Sequence, residues 1–383
     1  MMKRSFLTED HEMYRDALKK FLQKEAVPHF DQWEKDKMVP RSFWEKMGKQ
    51  GFLCPQVDEK YGGANADFGY ATVFIEEFEK VGTGLTGPGL HNDIVIPYIE
   101  SYGSEEQKQR WLPKSLTGEI ISCIAMTEPN TGSDLAAIKT TAIKDGDDYI
   151  INGEKTFITN GYSADIAIVV CKTDPTAEPG HTGISLIVVE AGTAGFTKGK
   201  QLEKVGQHAN DTSELIFNDV RVPSSHLLGE EGKGFLYLMQ KLQQERLIIS
   251  ISSIASIERM LDITMDYVKQ RKAFGKRVSQ FQNTQFKLAE LSSELQIGRA
   301  FVDKLIENHM AGTDIVTEVS MAKWWTTDLA QKVAIECMQL HGGYGYTEEY
   351  EIARRYRDVA VTSIYAGTNE IMKVIIAKNL GIK

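Results

Sequence analysis

Two short apolar runs, Ala164-Asp-Ile-Ala-Ile-Val-Val-Cys171 and Gly183-Ile-Ser-Leu-Ile-Val-Val-Glu190, lie near the middle of this chain of 383 residues. Isoleucine and valine favour extended backbone, and each run has the length of a strand. Asp145-Gly146 separates two further runs of this kind and is typical of a hairpin turn. Because residues 120–223 show strand patterns without intervening helices, we predict a small antiparallel barrel or sandwich.

Helical patterns lie on both sides of these strands. Residues 70–81 show the i, i+3, i+4 spacing of apolar residues, and residues 234–272 and 283–308 are long, periodic and nearly free of glycine and proline. Two helices of that length usually pack as antiparallel neighbours in a bundle. The predicted fold is therefore α+β: an N-terminal α-helical domain (1–119), a central antiparallel β-barrel domain (120–228) and a C-terminal four-helix bundle (229–383).

The composition excludes several classes of function. A net charge of −9 argues against nucleic-acid binding, which needs a basic surface, although a local basic patch for an anionic ligand stays open. The four cysteines form no Cys-x-x-Cys pair, which argues against zinc and dithiol sites and favours a reduced, intracellular protein. No run approaches the ~18 apolar residues of a membrane span, and the first residues lack a signal-peptide core. We expect no membrane insertion and a cytoplasmic protein, or equally a mature mitochondrial matrix protein.

Two segments of the strand region carry groups suited to a flat polar ligand. Ala125-Met-Thr-Glu-Pro-Asn-Thr-Gly-Ser-Asp134 would expose hydroxyls and backbone N–H groups. Lys155-Thr-Phe-Ile-Thr-Asn-Gly161 places Phe157 and Thr159 two residues apart, so on a strand both would face one side. From the residues alone, a surface turn explains the first segment better, and a half-buried strand explains the second equally well.

The C-terminal region offers three further candidates. Arg271-Lys-Ala-Phe-Gly-Lys-Arg-Val-Ser-Gln-Phe-Gln282 concentrates positive charge at a helix break, which suits a phosphate or simply complements the helix dipole. Gln339-Leu-His-Gly-Gly-Tyr-Gly345 ends a helix with glycines that allow a close approach. In Ile364-Tyr-Ala-Gly-Thr-Asn-Glu-Ile371, Thr368 is placed to cap the last helix. Three histidines lack metal-binding spacing and are interpreted as packing or surface residues: His91, His208 and His341.

In this order, the five motifs resemble the acyl-CoA dehydrogenase family over essentially the whole chain, and within it the long-chain and isovaleryl-type branch. The order of helical, β and helical domains is also that of the family. The resemblance implies an FAD flavoprotein that acts on acyl-CoA in fatty-acid oxidation. It further implies an electron-transfer flavoprotein as electron acceptor and a homotetramer built by the C-terminal bundles.

The resemblance also implies roles for individual residues. Thr127 and the backbone around Met126 would meet the pyrimidine end of the flavin, and Phe157, where most relatives carry tryptophan, would flank its ring. Thr159 would approach flavin N5, and Ser133 would meet CoA. The implied FAD-binding residues from the chain's own subunit are Met126, Thr127, Gly132, Ser133, Phe157, Ile158, Thr159, Thr368, Asn369 and Glu370. Those implied to act partly across a subunit boundary are Arg271, Phe274, Phe281, Gln282, Gln339, Gly342 and Gly343. The implied substrate-binding residues are Ser133, Gln243, Arg246, Tyr365, Ala366 and Gly367.

At the position where many members of the family carry their catalytic base, this chain has no acidic residue. Many members carry a glutamate in the loop before Gly-Thr, where this chain has Ala366, which cannot accept a proton. The long-chain and isovaleryl enzymes resemble this chain in placing a glutamate directly before an arginine on a helix, here Glu245 before Arg246. The apolar residues that follow predict a raised pKa for Glu245, which suits a general base. A solvated Glu–Arg pair is the alternative interpretation, and Glu370 is the rival carboxylate.

The implied reaction removes the α proton to Glu245 and the β hydrogen as hydride to the flavin, giving a trans-2-enoyl-CoA. The backbone N–H of Ala366 could still polarise the thioester carbonyl, because it does not depend on the side chain. We expect helix residues 91–97 and Gln243 to line a pocket for long or branched acyl groups. The alternatives are an acyl-CoA oxidase, whose flavin is reoxidised by O₂, and a non-catalytic relative.

Overall fold

The computed structural model describes residues 4–382. The helices before the sheet are α1 (Glu9–Glu25), α2 (Phe30–Asp36), α3 (Arg41–Lys49), α4 (Phe68–Lys80), α5 (Gly87–Leu90), α6 (Ile96–Tyr102) and α7 (Glu105–Thr117). A π-helical turn, His91–Val95, joins α5 to α6. Such turns add a residue to the helical repeat and are frequent near functional sites.

A seven-stranded sheet follows these helices. Its strands are β1 (Ser122–Ala125), β2 (Thr141–Asp145), β3 (Asp148–Thr159), β4 (Ile166–Lys172), β5 (Ile184–Glu190), β6 (Phe196–Gln201) and β7 (Thr212–Pro223). The order across the sheet is β1-β4-β2-β3-β7-β6, with β5 paired to β4. The predicted hairpin at Asp145-Gly146 is confirmed, since β2 and β3 pair antiparallel up to Asp145 and Asp148.

One detail of the sheet differs from the prediction of a wholly antiparallel barrel. β1 runs parallel to β4, and the first residue of β2 also pairs parallel with the end of β4. The β2–β3 hairpin intervenes in the chain between β1 and β4, so the chain returns before β4 and enters it in the same direction as β1. A hairpin alone would have forced an antiparallel pair.

The two apolar runs that opened the sequence analysis are buried on both faces. On β4, Ile166, Ile168 and Val170 pack with the N-terminal helices, whereas the alternate residues Ala167 and Val169 pack inside the curled sheet. Successive side chains of a strand point to opposite faces, so a strand covered on both faces has no polar alternation. The continuous apolar pattern is explained by this double burial.

The C-terminal helices form a bundle, as predicted. They are α8 (Gly234–Gln270), α9 (Gln282–Met310), α10 (Val316–His341), α11 (Glu351–Val359) and α12 (Asn369–Asn379), with a short hairpin of β8 (Lys272–Ala273) and β9 (Lys276–Arg277) between α8 and α9. Ile254, Leu291 and Ala330 lie in the common core of α8, α9 and α10. α8 also contacts α4 and β5, so it links all three regions of the chain. Within residues 4–382, no helix is long and apolar enough to cross a bilayer.

Candidate active site

Glu245 lies on α8 with only 5% of its surface exposed. The Tyr98 hydroxyl on α6 donates a hydrogen bond to its Oε1 atom at 3.0 Å. Burial raises the pKa of Glu245 to about 7, although the bond from Tyr98 and the charges of Arg246 and Lys241 act in the opposite direction. The raised pKa predicted from the apolar sequence context is therefore present, and this carboxyl group can exchange a proton near neutral pH.

Arg246, the next residue on α8, is also 5% exposed. Within the described chain its Nε atom is buried without a hydrogen-bond partner. Burial lowers the pKa of the guanidinium, and the neighbouring Glu245 partly offsets that effect. A buried donor that lacks a partner is costly, so this group is arranged for an acceptor that the chain itself does not provide.

Ala366 and Gly367 form a left-handed turn directly before α12, with φ values of 53° and 87°. The side chain of Lys323 on α10 is fully buried beneath this turn. Its Nζ atom donates to the carbonyl oxygen of Gly367 at 2.8 Å and to Oδ1 of Asn369 at 3.1 Å. Burial and the charge of Arg246 lower the pKa of Lys323 to about 8. A left-handed alanine is strained, and these bonds hold it in place.

The three residues after this turn have different roles in the fold. Thr368 caps α12 as predicted, because its hydroxyl accepts from the N–H of Ile371. The side-chain amide of Asn369 donates to Asp328 and Thr327 within the chain, and its implied contact with the cofactor stays a prediction. Glu370 is exposed in the first turn of α12, where hydrogen bonds from its own backbone and from Thr368 lower its pKa.

Gln243, an implied substrate-binding residue, makes a hydrogen bond within the chain. Its Oε1 atom accepts from the backbone N–H of Ile315 at 2.9 Å, which fixes the side chain at the connection between α9 and α10. In the next residue, Gln244, the Nε2 atom donates to the carbonyl oxygen of Asp93 at 2.7 Å. Gln244, Asp93 and Pro97 line a cavity of about 220 Å³.

A buried ion pair shapes the loop after β1. The Nζ atom of Lys155 donates to Glu128 and to the carbonyl oxygen of Met126, both at 2.9 Å. The backbone N–H of Thr156 donates to the carbonyl oxygen of Thr127, which joins this loop to β3. The carbonyl groups of Met126 and Thr127 are therefore held by β3 and by Lys155. Beyond them, Gly132 has open space around it and Ser133 is exposed.

Phe157 projects from the sheet near this loop. Its side chain is 67% exposed, and its φ of 61° is unusual for an aromatic residue. A register shift in the pairing with β7 accompanies it. The side chain of Ile158 is buried in the core of the sheet, and Thr159 is half-buried. The implied contacts of Phe157, Ile158 and Thr159 with FAD stay predictions.

A second group of predicted residues meets in a cleft of about 470 Å³, called here the Arg271 cleft. It is lined by Arg271, Gln339, Gly342 and Gly343. The guanidinium of Arg271 lies over the ring of Tyr344, 5.3 Å from its centre. A Cβ atom on either glycine would meet nothing within 4 Å, so the floor is open.

Beside the Arg271 cleft, Phe274 and Phe281 flank the β8–β9 hairpin. Their ring centres are 6.3 Å apart, and Phe274 is 96% exposed. Gln282 is the first residue of α9.

The structure separates this cleft from Glu245. Arg271 follows Glu245 by about 26 residues along α8, which corresponds to about 39 Å of helix. Glu245 and the residues of the Arg271 cleft are therefore well separated along one helix.

Three residues of the site were missed by the sequence analysis: Tyr98, Lys155 and Lys323. Each has a polar side chain with 0% exposure. Such a residue needs a buried partner, so the conflict between polarity and context was the available signal. The partners lie far away in sequence, and only the fold identifies them. Among residues 4–382, no group of three or more histidine, cysteine or acidic side chains is arranged to hold a metal ion.

Three family models cover nearly the whole chain: acyl-CoA dehydrogenase N-terminal domain (residues 8–119), middle domain (123–220) and C-terminal domain (232–381). The chain belongs to the acyl-CoA dehydrogenase family. It is 49% identical to the mitochondrial long-chain specific acyl-CoA dehydrogenase of Sus scrofa, over 98% of this chain and 88% of that protein. It also resembles the crystal structure of an acyl-CoA dehydrogenase from Geobacillus kaustophilus, with 66% identity, a TM-score of 0.98, and 99% and 100% of the two chains covered.

Acyl-CoA dehydrogenases are FAD flavoproteins, and a solved FAD complex of PigA matches this chain with a TM-score of 0.92 and 28% identity over 98% of each chain. Two features of this chain fit that cofactor. Phe157 presents an exposed aromatic face beside a loop rich in polar groups. The Arg271 cleft combines a guanidinium with an open glycine floor, as a phosphate group requires.

Proposed function

We propose that the protein dehydrogenates acyl-CoA thioesters to trans-2-enoyl-CoA, with Glu245 as the catalytic base. One observation carries the proposal: Glu245 is a buried carboxylate with a pKa of about 7, and the Nε atom of the adjacent Arg246 has no hydrogen-bond partner within the described chain. Ala366 has no acid group, and Glu370 is exposed with a lowered pKa. A general base works best when its pKa lies near the working pH, which favours Glu245 over Glu370.

Different residues of this chain remove the proton and stabilise the developing charge in the proposed reaction. Ionised Glu245 takes the α proton, and the two electrons of that C–H bond form the new double bond as the β hydrogen departs as hydride. Bound FAD supplies the acceptor for that hydride. The negative charge that develops on the thioester oxygen is stabilised by the backbone N–H of Ala366, and the buried cations of Arg246 and Lys323 favour it further.

The residues proposed to hold FAD belong to the two groups described above. Met126, Thr127, Phe157 and Thr159 would bind the flavin end, where Lys155 fixes the loop. The Arg271 cleft would bind the pyrophosphate and adenosine of a flavin whose ring lies in a partner subunit. The length of helix between Glu245 and Arg271, about 39 Å, supports this division.

A shared site requires an oligomer, and we propose a homotetramer. Apolar residues are exposed on three helices of the bundle: Ile297 on α9 is 64% exposed, Ile335 on α10 is 52% exposed and Val374 on α12 is 61% exposed. Exposed apolar surface of this kind typically marks an interface. Light scattering after gel filtration should give four times the mass of the chain, and a monomeric holoenzyme with full activity would contradict the shared site.

Long or branched acyl groups are the proposed substrates, with an electron-transfer flavoprotein as acceptor. The similarity to a relative named long-chain specific supports the first part. A profile of activity across straight and branched acyl-CoA substrates measures the preference. Reduction of an electron-transfer flavoprotein, compared with peroxide formation in air, distinguishes a dehydrogenase from an oxidase.

Glu245→Gln tests the base directly. The variant keeps the shape of the side chain but cannot take a proton, so reduction of bound FAD by acyl-CoA should slow by at least about 10³-fold. FAD content, read from the flavin absorbance, should stay at one per chain. Glu370→Gln is the matched control and should bleach at the wild-type rate. Rapid bleaching in Glu245→Gln, or loss of bleaching only in Glu370→Gln, would show that the base is assigned wrongly.

A further inference from the structure

We infer that Tyr98 is a positioning residue for the catalytic base: its hydroxyl holds one carboxylate oxygen of Glu245, favours the ionised form and leaves the other oxygen for the substrate proton. This inference rests on the proposed role of Glu245. It adds a residue from α6, in the N-terminal helical region, to a base that lies on α8. The two residues are 147 positions apart in sequence.

The geometry restricts the carboxylate of Glu245. The Tyr98 hydroxyl lies 3.0 Å from Oε1, and both side chains are buried. Within residues 4–382, no other side chain donates a hydrogen bond to this carboxylate. One oxygen is therefore fixed by Tyr98, and Oε2 is available to receive a proton.

The ring of Tyr98 is itself held in place. It is completely buried, with the ring of Tyr102 6.2 Å away, and Tyr102 stacks on Tyr237 of α8 at 4.0 Å. A buried hydroxyl needs a partner, and in the described chain Glu245 is the partner it has. The ring cannot leave without disturbing this aromatic row, so the direction of the O–H group is set by packing.

The direction of the hydrogen bond follows from the chemistry of the two groups. Burial and the nearby Glu245 raise the pKa of Tyr98 well above its ordinary value, so the phenol stays protonated and acts as a donor. A donor stabilises a carboxylate more than a carboxylic acid and thereby lowers the pKa of Glu245. The other charged groups that face Glu245 are Arg246 and Lys241 on its own helix, and beyond Arg246 lies Lys323 on α10. Without the hydroxyl, fewer groups would oppose the effect of burial, and the pKa of Glu245 would be higher.

Tyr98→Phe removes the hydroxyl and keeps the ring. The rate of flavin reduction in the holoenzyme should then need a higher pH, because Glu245 ionises less readily. At pH 6 the variant should be about tenfold slower than wild type, whereas at pH 9 the two rates should converge. The KM for acyl-CoA should change little, since the hydroxyl contacts the base and not the substrate. Tyr102→Phe is the matched control, because its hydroxyl bonds to Gln240 and not to Glu245.

A second readout does not depend on turnover. Infrared difference spectra of the holoenzyme between pH 5 and pH 9 should contain a carboxyl band that titrates, that is lost in Glu245→Gln and that shifts to higher pH in Tyr98→Phe. If Glu245→Gln abolishes flavin reduction but Tyr98→Phe matches wild type in both the rate profile and the band, the inference about Tyr98 is wrong and the base assignment stands. If Glu245→Gln still reduces flavin rapidly, the proposed function of Glu245 itself fails.

Discussion

Replacing Glu245 by glutamine should stabilise the folded protein in a pH-dependent way. Folding raises the pKa of this carboxyl from 4.5 to about 7 because it removes the group from water. The folded state therefore prefers the protonated form, and the stability that the protonated carboxyl gives is lost as the pH rises through the folded pKa. Glutamine is neutral at every pH, so the variant does not lose this stability as the pH rises.

The size of the effect follows from the shift. A difference of about 2.5 pKa units corresponds to about 3 kcal/mol, most of which develops between pH 5 and pH 8. For 383 residues the entropy of unfolding is about 0.8 kcal/mol per degree. Relative to wild type, Glu245→Gln should therefore melt about 4 °C higher at pH 8.5 and at nearly the same temperature at pH 5.

Scanning calorimetry of both holoenzymes at matched scan rates, from pH 5 to pH 8.5, measures this difference in melting temperature. Glu370→Gln is the control, because Glu370 is exposed and its pKa is lowered, so its replacement should bring no gain as the pH rises. A gap between Glu245→Gln and wild type that stays constant over the whole range would refute the reasoning. It would mean that Glu245 ionises normally in the folded protein.

Three other variants test neighbouring features. Asp93→Asn should raise stability progressively between about pH 4 and pH 8, because burial raises the pKa of Asp93 from 3.8 to about 8 and the folded wild-type protein loses stability over that range; melting curves at pH 5 and pH 8 measure it. Lys155→Met leaves Glu128 buried without its cation and should lower the free energy of unfolding by about 3–5 kcal/mol in urea titrations. It should also release FAD during gel filtration. Lys323→Met should loosen the turn at Gly367, so that flavin reduction slows at least tenfold while FAD content stays unchanged.

The general architecture was predictable because, in each region, the apolar residues recur with one dominant period along the sequence. The apolar runs ending at Cys171 and Glu190 predicted strands, and the long periodic segments predicted the bundle. The parallel pairing of β1 with β4 was not predictable, since periodicity describes the faces of a strand and not its neighbour.

The candidate base came from the resemblance to the long-chain and isovaleryl-type enzymes, which place a glutamate directly before an arginine on a helix, once Ala366 had left the loop without a carboxylate. Its surroundings could be predicted only in outline. Apolar neighbours in sequence indicated a raised pKa, but the hydrogen bond from Tyr98 joins two helices that sequence patterns cannot place side by side. The same limit applied to Lys323 on α10. Its acceptor, the carbonyl oxygen of Gly367, lies in the turn before α12, and α11 separates the two residues along the chain.

The length of α8 has a genetic consequence. This one helix carries the base near its beginning and leads into Arg271 at its end, and in the proposed assembly these ends serve flavins of different subunits. A substitution at one end of α8 then impairs a different active site from a substitution at the other end. When chains that carry Glu245→Gln assemble with chains that carry Arg271→Ala, some sites receive both defects and others receive none. Two inactive alleles could thus complement each other, which independent sites within single chains would never allow.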